Sequence, residues 1–142
     1  MKFSFIKSND KDEVIVYSKE RNDLINSIEN MCNMDSNLVG YYREEIRSLN
    51  INLIECFFIE KDKVYALLNN KKYLIKKRLY ELYDLYKDSF IYINQGCLAN
   101  INMISHFDVS ISGSLIVVFK SKYKDYVSRR RIKEIKERMG LK

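Results

Sequence analysis

Leu-Ile-Glu-Cys-Phe-Phe-Ile-Glu, residues 53–60, is the stretch that decides the fold of this chain, together with the residues that follow it. Lys61-Asp62-Lys63 separates it from a second apolar stretch at residues 64–68, and Asn69-Asn70 separates that one from a third at residues 71–75. Short apolar runs between polar residues are typical of β-strands, and Asn tolerates a positive φ in tight turns. The pattern predicts consecutive antiparallel hairpins in the middle of the chain.

The C-terminal part continues this pattern around one short helix. Apolar residues repeat at helical spacing within residues 77–87, a segment too short to be stable unless it packs on the sheet. A closing helix is predicted with Ser128 as its N-terminal cap and Gly140 at its end. Further strands are predicted at residues 46–49, 90–93, 97–101, 103–111, 114–120 and 123–127.

The N-terminal part has a different character. Two β-prone stretches predict a hairpin: residues 2–7 and 13–17. A helix over residues 19–32, capped by Ser18, follows, and residues 33–40 are predicted as a polar loop. We therefore divide the chain into an N-terminal extension, residues 1–40, and a main domain, residues 41–142. The expected fold class is mainly β, α+β overall.

The charge of the chain is unevenly distributed. The 142 residues carry a net charge of +6, but residues 1–70 hold nine Lys/Arg against twelve Asp/Glu, while residues 71–142 hold sixteen against seven. Residues 120–142 alone contain ten Lys/Arg and three acidic residues. Such a segment suits a polyanion, either nucleic acid or an anionic membrane surface, although a merely solvated polar face has the same composition.

Several function classes lack residues to support them. Apolar runs are too short for a signal peptide or a membrane span, so we expect a cytoplasmic protein without membrane insertion. Cys32, Cys56 and Cys97 are predicted to be reduced core thiols. The single histidine, His106, is interpreted as structural, because adjacent strand residues point to opposite faces. We expect no enzymatic activity, no metal and no cofactor.

The order of these features resembles the LytTR-type DNA-binding domain of bacterial transcription regulators. Three passages within residues 46–142 carry the resemblance: the strand and turn of residues 53–65, the segment Phe-Ile-Tyr-Ile-Asn-Gln-Gly-Cys-Leu-Ala-Asn at residues 90–100, and Tyr-Val-Ser-Arg-Arg-Arg at residues 126–131. The short helix with Leu79 and Leu82 also matches the family pattern. Tyr92, Gln95 and Gly96 depart from it, since the family often has Arg, a basic residue and Ser there.

This resemblance implies an elongated, mainly antiparallel β fold of the LytTR type, with short connecting and C-terminal helices, that places loops into successive major grooves. The basic C-terminal segment and the amide side chains near position 95 suit phosphate and base contacts independently of the resemblance. The first loop looks short for reaching into a groove. The candidate DNA-binding residues are Lys61, Lys63, Asn94, Gln95, Lys122, Lys124, Arg129, Arg130 and Arg131.

The expected function is therefore sequence-specific binding of double-stranded DNA, at direct or inverted repeats, by a stand-alone regulator. The residues before position 46 are too few for a phospho-accepting receiver domain. Their helix carries apolar residues that would suit a homodimer on DNA or a regulatory protein partner. Two alternatives remain: a protein-interaction module that keeps the fold but has weakened or lost DNA binding, and a membrane-surface role for the basic helix.

Overall fold

The computed structural model describes residues 4–7, 15–34 and 38–140. The chain divides into two compact units, residues 1–36 and residues 37–142. In the first unit, helix α1 (Asp23–Met34) confirms the predicted helix. Its cap is Asn22 and not Ser18, because Asn22 Oδ1 accepts a hydrogen bond from the Ile25 N–H at 3.0 Å.

The predicted N-terminal hairpin is absent from the described residues. Residues 4–7 and 15–18 form no strand, and residues 2–3 and 8–14 lie outside the described residues. The prediction rested on short β-prone runs alone. An isolated two-stranded hairpin has little stability in water, so such runs need a neighbouring strand or helix to pair with or pack on.

The described residues of the second unit, 38–140, form ten strands, two α-helices and three 3₁₀ turns. Two sheets are formed: a seven-stranded antiparallel sheet in the order β2-β1-β5-β4-β3-β7-β6, and a three-stranded sheet in the order β10-β9-β8. The 3₁₀ turns are Ile51–Leu53, Ile101–Met103 and Arg129–Arg131. In chain order, the strands and helices are β1 (Leu38–Tyr42), β2 (Glu45–Leu49), β3 (Cys56–Glu60), β4 (Lys63–Leu68), β5 (Lys71–Ile75), α2 (Leu79–Tyr86), β6 (Phe90–Asn94), β7 (Cys97–Asn100), β8 (Ile104–Val109), β9 (Leu115–Phe119), β10 (Lys124–Tyr126) and α3 (Ile132–Met139).

The two hairpins around β4 confirm the central prediction. Lys61 and Asp62 have φ angles of 52° and 63°, and Asn69 and Asn70 have φ angles of 50° and 63°. Two consecutive residues with positive φ form the tight turn whose twist matches that of antiparallel strands. These turns set the register in which Glu60 pairs with Lys63 and Leu68 pairs with Lys71.

Strands β3 and β7 of the large sheet are buried on both faces, which explains their continuous apolar runs. Successive side chains of a strand point to opposite faces. Phe57 accordingly joins a core cluster with Leu79 and Leu82 of α2, while its neighbours Cys56 and Phe58 join a second cluster. That second cluster contains residues of β9 and α3, so the small sheet and the closing helix cover this face: Val117, Phe119 and Ile135.

The predicted loop at residues 33–40 is wrong at its C-terminal end, because residues 38–40 belong to strand β1. Gly40 is buried, and a Cβ atom there would lie 2.6 Å from Leu49 Cδ1 and 2.8 Å from Tyr73 Cβ. The glycine is therefore needed where a leucine and a tyrosine crowd against the strand. Sequence alone offered a turn as the simpler explanation for it.

Candidate nucleic-acid interface

Three loops of the second unit lie at one end of the large sheet. The first loop, residues 61–63, joins β3 to β4; the second, residues 94–96, joins β6 to β7; the third, residues 127–131, joins β10 to α3. The Ile59 N–H donates to the Gly96 carbonyl oxygen at 2.9 Å, and the Ser128 N–H donates to the Ile93 carbonyl oxygen at 2.8 Å. These bonds place the second loop between the other two. We call this the loop end of the sheet.

Four cationic side chains at the loop end are free to meet a ligand. Lys61, Lys63, Arg129 and Arg130 are all exposed. None of them forms an ion pair with a residue that the structure describes. Gln95 is also exposed and contributes an amide between the two pairs of cations. Seven of the nine predicted residues thus lie at the loop end, and five of them are exposed there.

Asn94 occupies a different place from the one predicted, since its side chain is only 4% exposed. Its Nδ2 donates to Asp125 Oδ1 at 3.1 Å and to the Tyr126 carbonyl oxygen at 2.8 Å. Its Oδ1 accepts from the Gly96 N–H at 2.9 Å. The expectation that Asn94 would be exposed is wrong, because the amide is consumed in joining the second loop to β10.

Arg131 is held against the protein. Its guanidinium lies 5.0 Å from the centre of the Tyr92 ring, and its Nη1 lies 3.3 Å from Glu134 Oε2. The Tyr92 ring also packs on Tyr83 at 5.0 Å. Burial raises the pKa of the Tyr92 phenol, and the positive charge of Arg131 partly opposes that rise. A cation stacked on a ring in this way fixes the third loop on β6.

The start of the closing helix differs from the prediction. Arg129–Arg131 form a 3₁₀ turn and α3 begins only at Ile132, so these arginines do not occupy the first turn of an α-helix. Ser128 makes no side-chain capping hydrogen bond. The predicted C-terminal end is confirmed, because Gly140 ends the helix with a φ of 70°.

Lys122 lies at the opposite end of the sheet, away from the three loops. The neighbouring Ser121 donates from its N–H and its Oγ to the carboxylate of Glu55, at 2.7 and 2.5 Å. Glu55 precedes β3, whereas Glu60 ends it at the first loop. Five extended residues separate the two by about 17 Å. Lys124 lies on β10, with its Nζ 3.9 Å from Asp108 Oδ2.

His106 makes contacts that the sequence argument excluded. Ser105 Oγ lies 3.0 Å from His106 Nδ1, and His106 Nε2 lies 3.3 Å from Asp108 Oδ1. The register of β8 shifts between Ile104 and His106, so the adjacent side chains need not point to opposite faces. Ser105 and His106 are exposed on a strand, and no group of His, Cys, Asp and Glu among the described residues could hold a metal.

Two of the cysteines are buried and free, as predicted: Cys56 and Cys97. A hydrogen bond with Cys56 and complete burial both raise the pKa of the Cys97 thiol well above its usual range. A protonated, buried thiol is a poor nucleophile, so Cys97 acts as a packing group. Cys56 belongs to the same buried cluster.

Comparison with known proteins identifies the domain. Residues 44–140 match the family described as the LytTr DNA-binding domain. The chain belongs to the LytTR family. The match confirms the predicted family, and the mostly antiparallel sheets with a few short helices confirm the predicted fold class. None of the described helices is long and apolar enough to cross a membrane.

Relatives support the same assignment, and a solved structure shows the same fold. An uncharacterized HTH-type transcriptional regulator of Staphylococcus aureus (strain NCTC 8325 / PS 47) is 32% identical over 141 residues, covering 96% of each chain. Its counterpart in strain MW2 is 31% identical over the same length and coverage. The LytTr DNA-binding domain of a response regulator from Bacillus cereus superposes with a TM-score of 0.68 at 16% identity, covering 74% of this chain and 97% of that one.

The structure also places at the loop end a segment of the LytTR domain, residues 76–78, that sequence reasoning missed. Ile75 of β5 pairs with Val64 of β4, so residues 76–78 leave the sheet beside the first loop. All three are basic: Lys76, Lys77 and Arg78. The sequence signal that could have found this segment was the predicted hairpin at Asn69-Asn70. In a hairpin, the residues that follow the second strand lie beside the residues that precede the first strand.

Proposed function

We propose that this LytTR-family chain is a transcription regulator that binds double-stranded DNA sequence-specifically through the loop end. The observation that carries the proposal is the placement of Lys61, Lys63, Arg129 and Arg130 around Gln95, all exposed and without described ion pairs. Unpaired cations at the tips of adjacent loops match the spaced phosphates of a duplex better than they match a small anion.

The side chains of the loops suit different parts of the DNA. Lysine ammonium groups of the first loop suit phosphate oxygens, which provide affinity and register. Arg129 and Arg130 can each donate two hydrogen bonds to a guanine edge, and Gln95 can pair with an adenine edge in the major groove. The described helices are separated by strands, so insertion of loops replaces the recognition helix of helix-turn-helix docking.

The oligomeric state is part of the same proposal. Leu24 is 47% exposed on α1, and Ile25 and Ile28 are half-buried. An apolar stripe of this kind suits a second copy, and a homodimer would read direct or inverted repeats, with a regulatory protein as a further partner. The proposed location is the cytoplasm, and no cofactor is invoked. Sedimentation of the protein with and without DNA tests the dimer.

The experiment that tests DNA binding is fluorescence anisotropy with two duplexes over a range of salt concentrations. One duplex comes from the region upstream of the chain's own coding sequence, and the other has the same composition in shuffled order. We expect tighter binding to the first and a steep loss of affinity with salt for both. Equal affinity for the two duplexes would remove sequence specificity. Absence of salt-dependent binding would instead favour the protein-interaction alternative.

A further inference from the structure

The basic segment after β5, residues 76–78, lies directly beside the first loop. β5 pairs with β4 in the register Val64–Ile75, and Lys63 immediately precedes Val64. Neighbouring strands are about 4.8 Å apart, so the chain leaves β5 within one strand spacing of the residues that enter β4. This position follows from backbone pairing.

The side chains of this segment are available to a ligand. Lys76, Lys77 and Arg78 are all exposed. Lys76 Nζ lies 4.4 Å from the centre of the Tyr41 ring, which fixes its position without neutralising its charge. Lys77 and Arg78 form no ion pair with any residue that the structure describes.

The local charge balance at this edge is positive. Together with Lys61 and Lys63, the segment places five cations at one edge of the loop end. The acidic residues nearby in the chain are fewer: Glu60, Asp62 and Glu81. Glu60 is already paired with Lys72 at 3.2 Å. The remaining carboxylates cannot neutralise the five cations.

We propose that Lys77 and Arg78 form a fourth DNA contact, one that binds the phosphodiester backbone beside the first loop. This inference rests on the proposed function. It extends the proposed DNA-binding surface by one strand, from β4 to β5. Their position just after the end of β5, outside the three loops, suits phosphate contacts rather than base reading. The contact therefore adds affinity equally for every sequence and strengthens the dependence of binding on salt.

The test compares two double variants that each remove two positive charges. Lys77→Gln with Arg78→Gln removes the proposed contact. Lys71→Gln with Lys87→Gln is the matched control, because Lys71 begins β5 at the opposite end and Lys87 lies between α2 and the start of β6, at that same end. All four side chains are exposed, so both variants should fold, which circular dichroism checks. Anisotropy with the upstream duplex and its shuffled counterpart then gives affinity against salt.

A plot of log affinity against log salt concentration has a negative slope, and we expect the first variant to make that slope shallower by about 1.8. This is roughly 0.9 for each lost phosphate contact. Its loss of affinity should be the same for both duplexes, while the control keeps the wild-type slope. If the wild-type protein binds DNA and the two variants have the same salt dependence, the proposal of a fourth contact is wrong and the proposed function stands. If wild-type protein shows no salt-dependent binding, both proposals are overturned.

Discussion

Asn94 donates a hydrogen bond from its Nδ2 to the carbonyl oxygen of Tyr126 at 2.8 Å. The bond spans 32 residues of sequence and joins the second loop to the strand that leads into the third. Two segments that carry the proposed base-reading residues are thereby held at one separation. Pre-positioning of this kind lowers the entropy that binding must otherwise overcome.

Replacing Asn94 with Ala should reduce the free energy of unfolding by about 1–3 kcal/mol, because Asn94 is buried and the Tyr126 carbonyl oxygen and the Gly96 N–H lose their partner. Urea unfolding measures this change. Gln95→Ala in the same turn is the control, since an exposed side chain should alter stability by less than about 0.5 kcal/mol. Equal stability of the two variants would contradict the structural role of Asn94.

Substitutions of the adjacent residues Arg130 and Arg131 should have different effects, one on DNA binding and the other on stability. Arg130→Ala should weaken specific DNA binding by about 1–3 kcal/mol and leave unfolding unchanged, because its side chain is exposed. Arg131→Ala should lower stability by about 0.5–1 kcal/mol through loss of its contact with Tyr92. Anisotropy and urea unfolding on both variants measure the two effects. Identical profiles for the two would count against this division.

Gly40→Ala should destabilise the second unit by about 1–3 kcal/mol, because the new methyl group would overlap Leu49 and Tyr73 unless β1 shifts. Thermal unfolding measures the loss. Gly96→Ala is the matched control, since its Cβ would lie 3.7 Å from Asn94 Oδ1, an ordinary contact. A Gly40→Ala protein as stable as Gly96→Ala would show that the strand can move without cost.

Stability should fall in alkaline solution because of three half-buried tyrosine phenols. Burial raises the pKa of Tyr86, Tyr92 and Tyr123, so the folded state favours their protonated forms. Such a group contributes its full stabilisation below the ordinary tyrosine pKa of about 10 and loses it as the pH rises further. Urea unfolding at increasing pH should show this decline, and Tyr123→Phe should make it shallower. An unchanged slope in that variant would exclude Tyr123 as a source.

Much of the fold could be predicted from local sequence. Asn69 and Asn70 identify a turn by their own tolerance of positive φ, and the apolar spacing of residues 77–87 identifies α2 without any knowledge of its neighbours. The failures have a common origin. Strand β1 needs glycine at position 40 because side chains distant in sequence crowd it there, and the N-terminal β-prone runs form no strand in the described residues.

The sequence by itself determined the LytTR family, the hairpin turns and the basic character of the C-terminal half, because these depend on residue types and on neighbours a few positions apart. Tertiary structure alone decided which of those residues share a surface. The Glu55–Ser121 contact, 66 residues apart in sequence, puts Lys122 at the far end, and the pairing of β4 with β5 brings Lys77 to the first loop. Pairing between strands that are distant in sequence decides at which end of the sheet each turn lies, and this pairing cannot be inferred from residue composition.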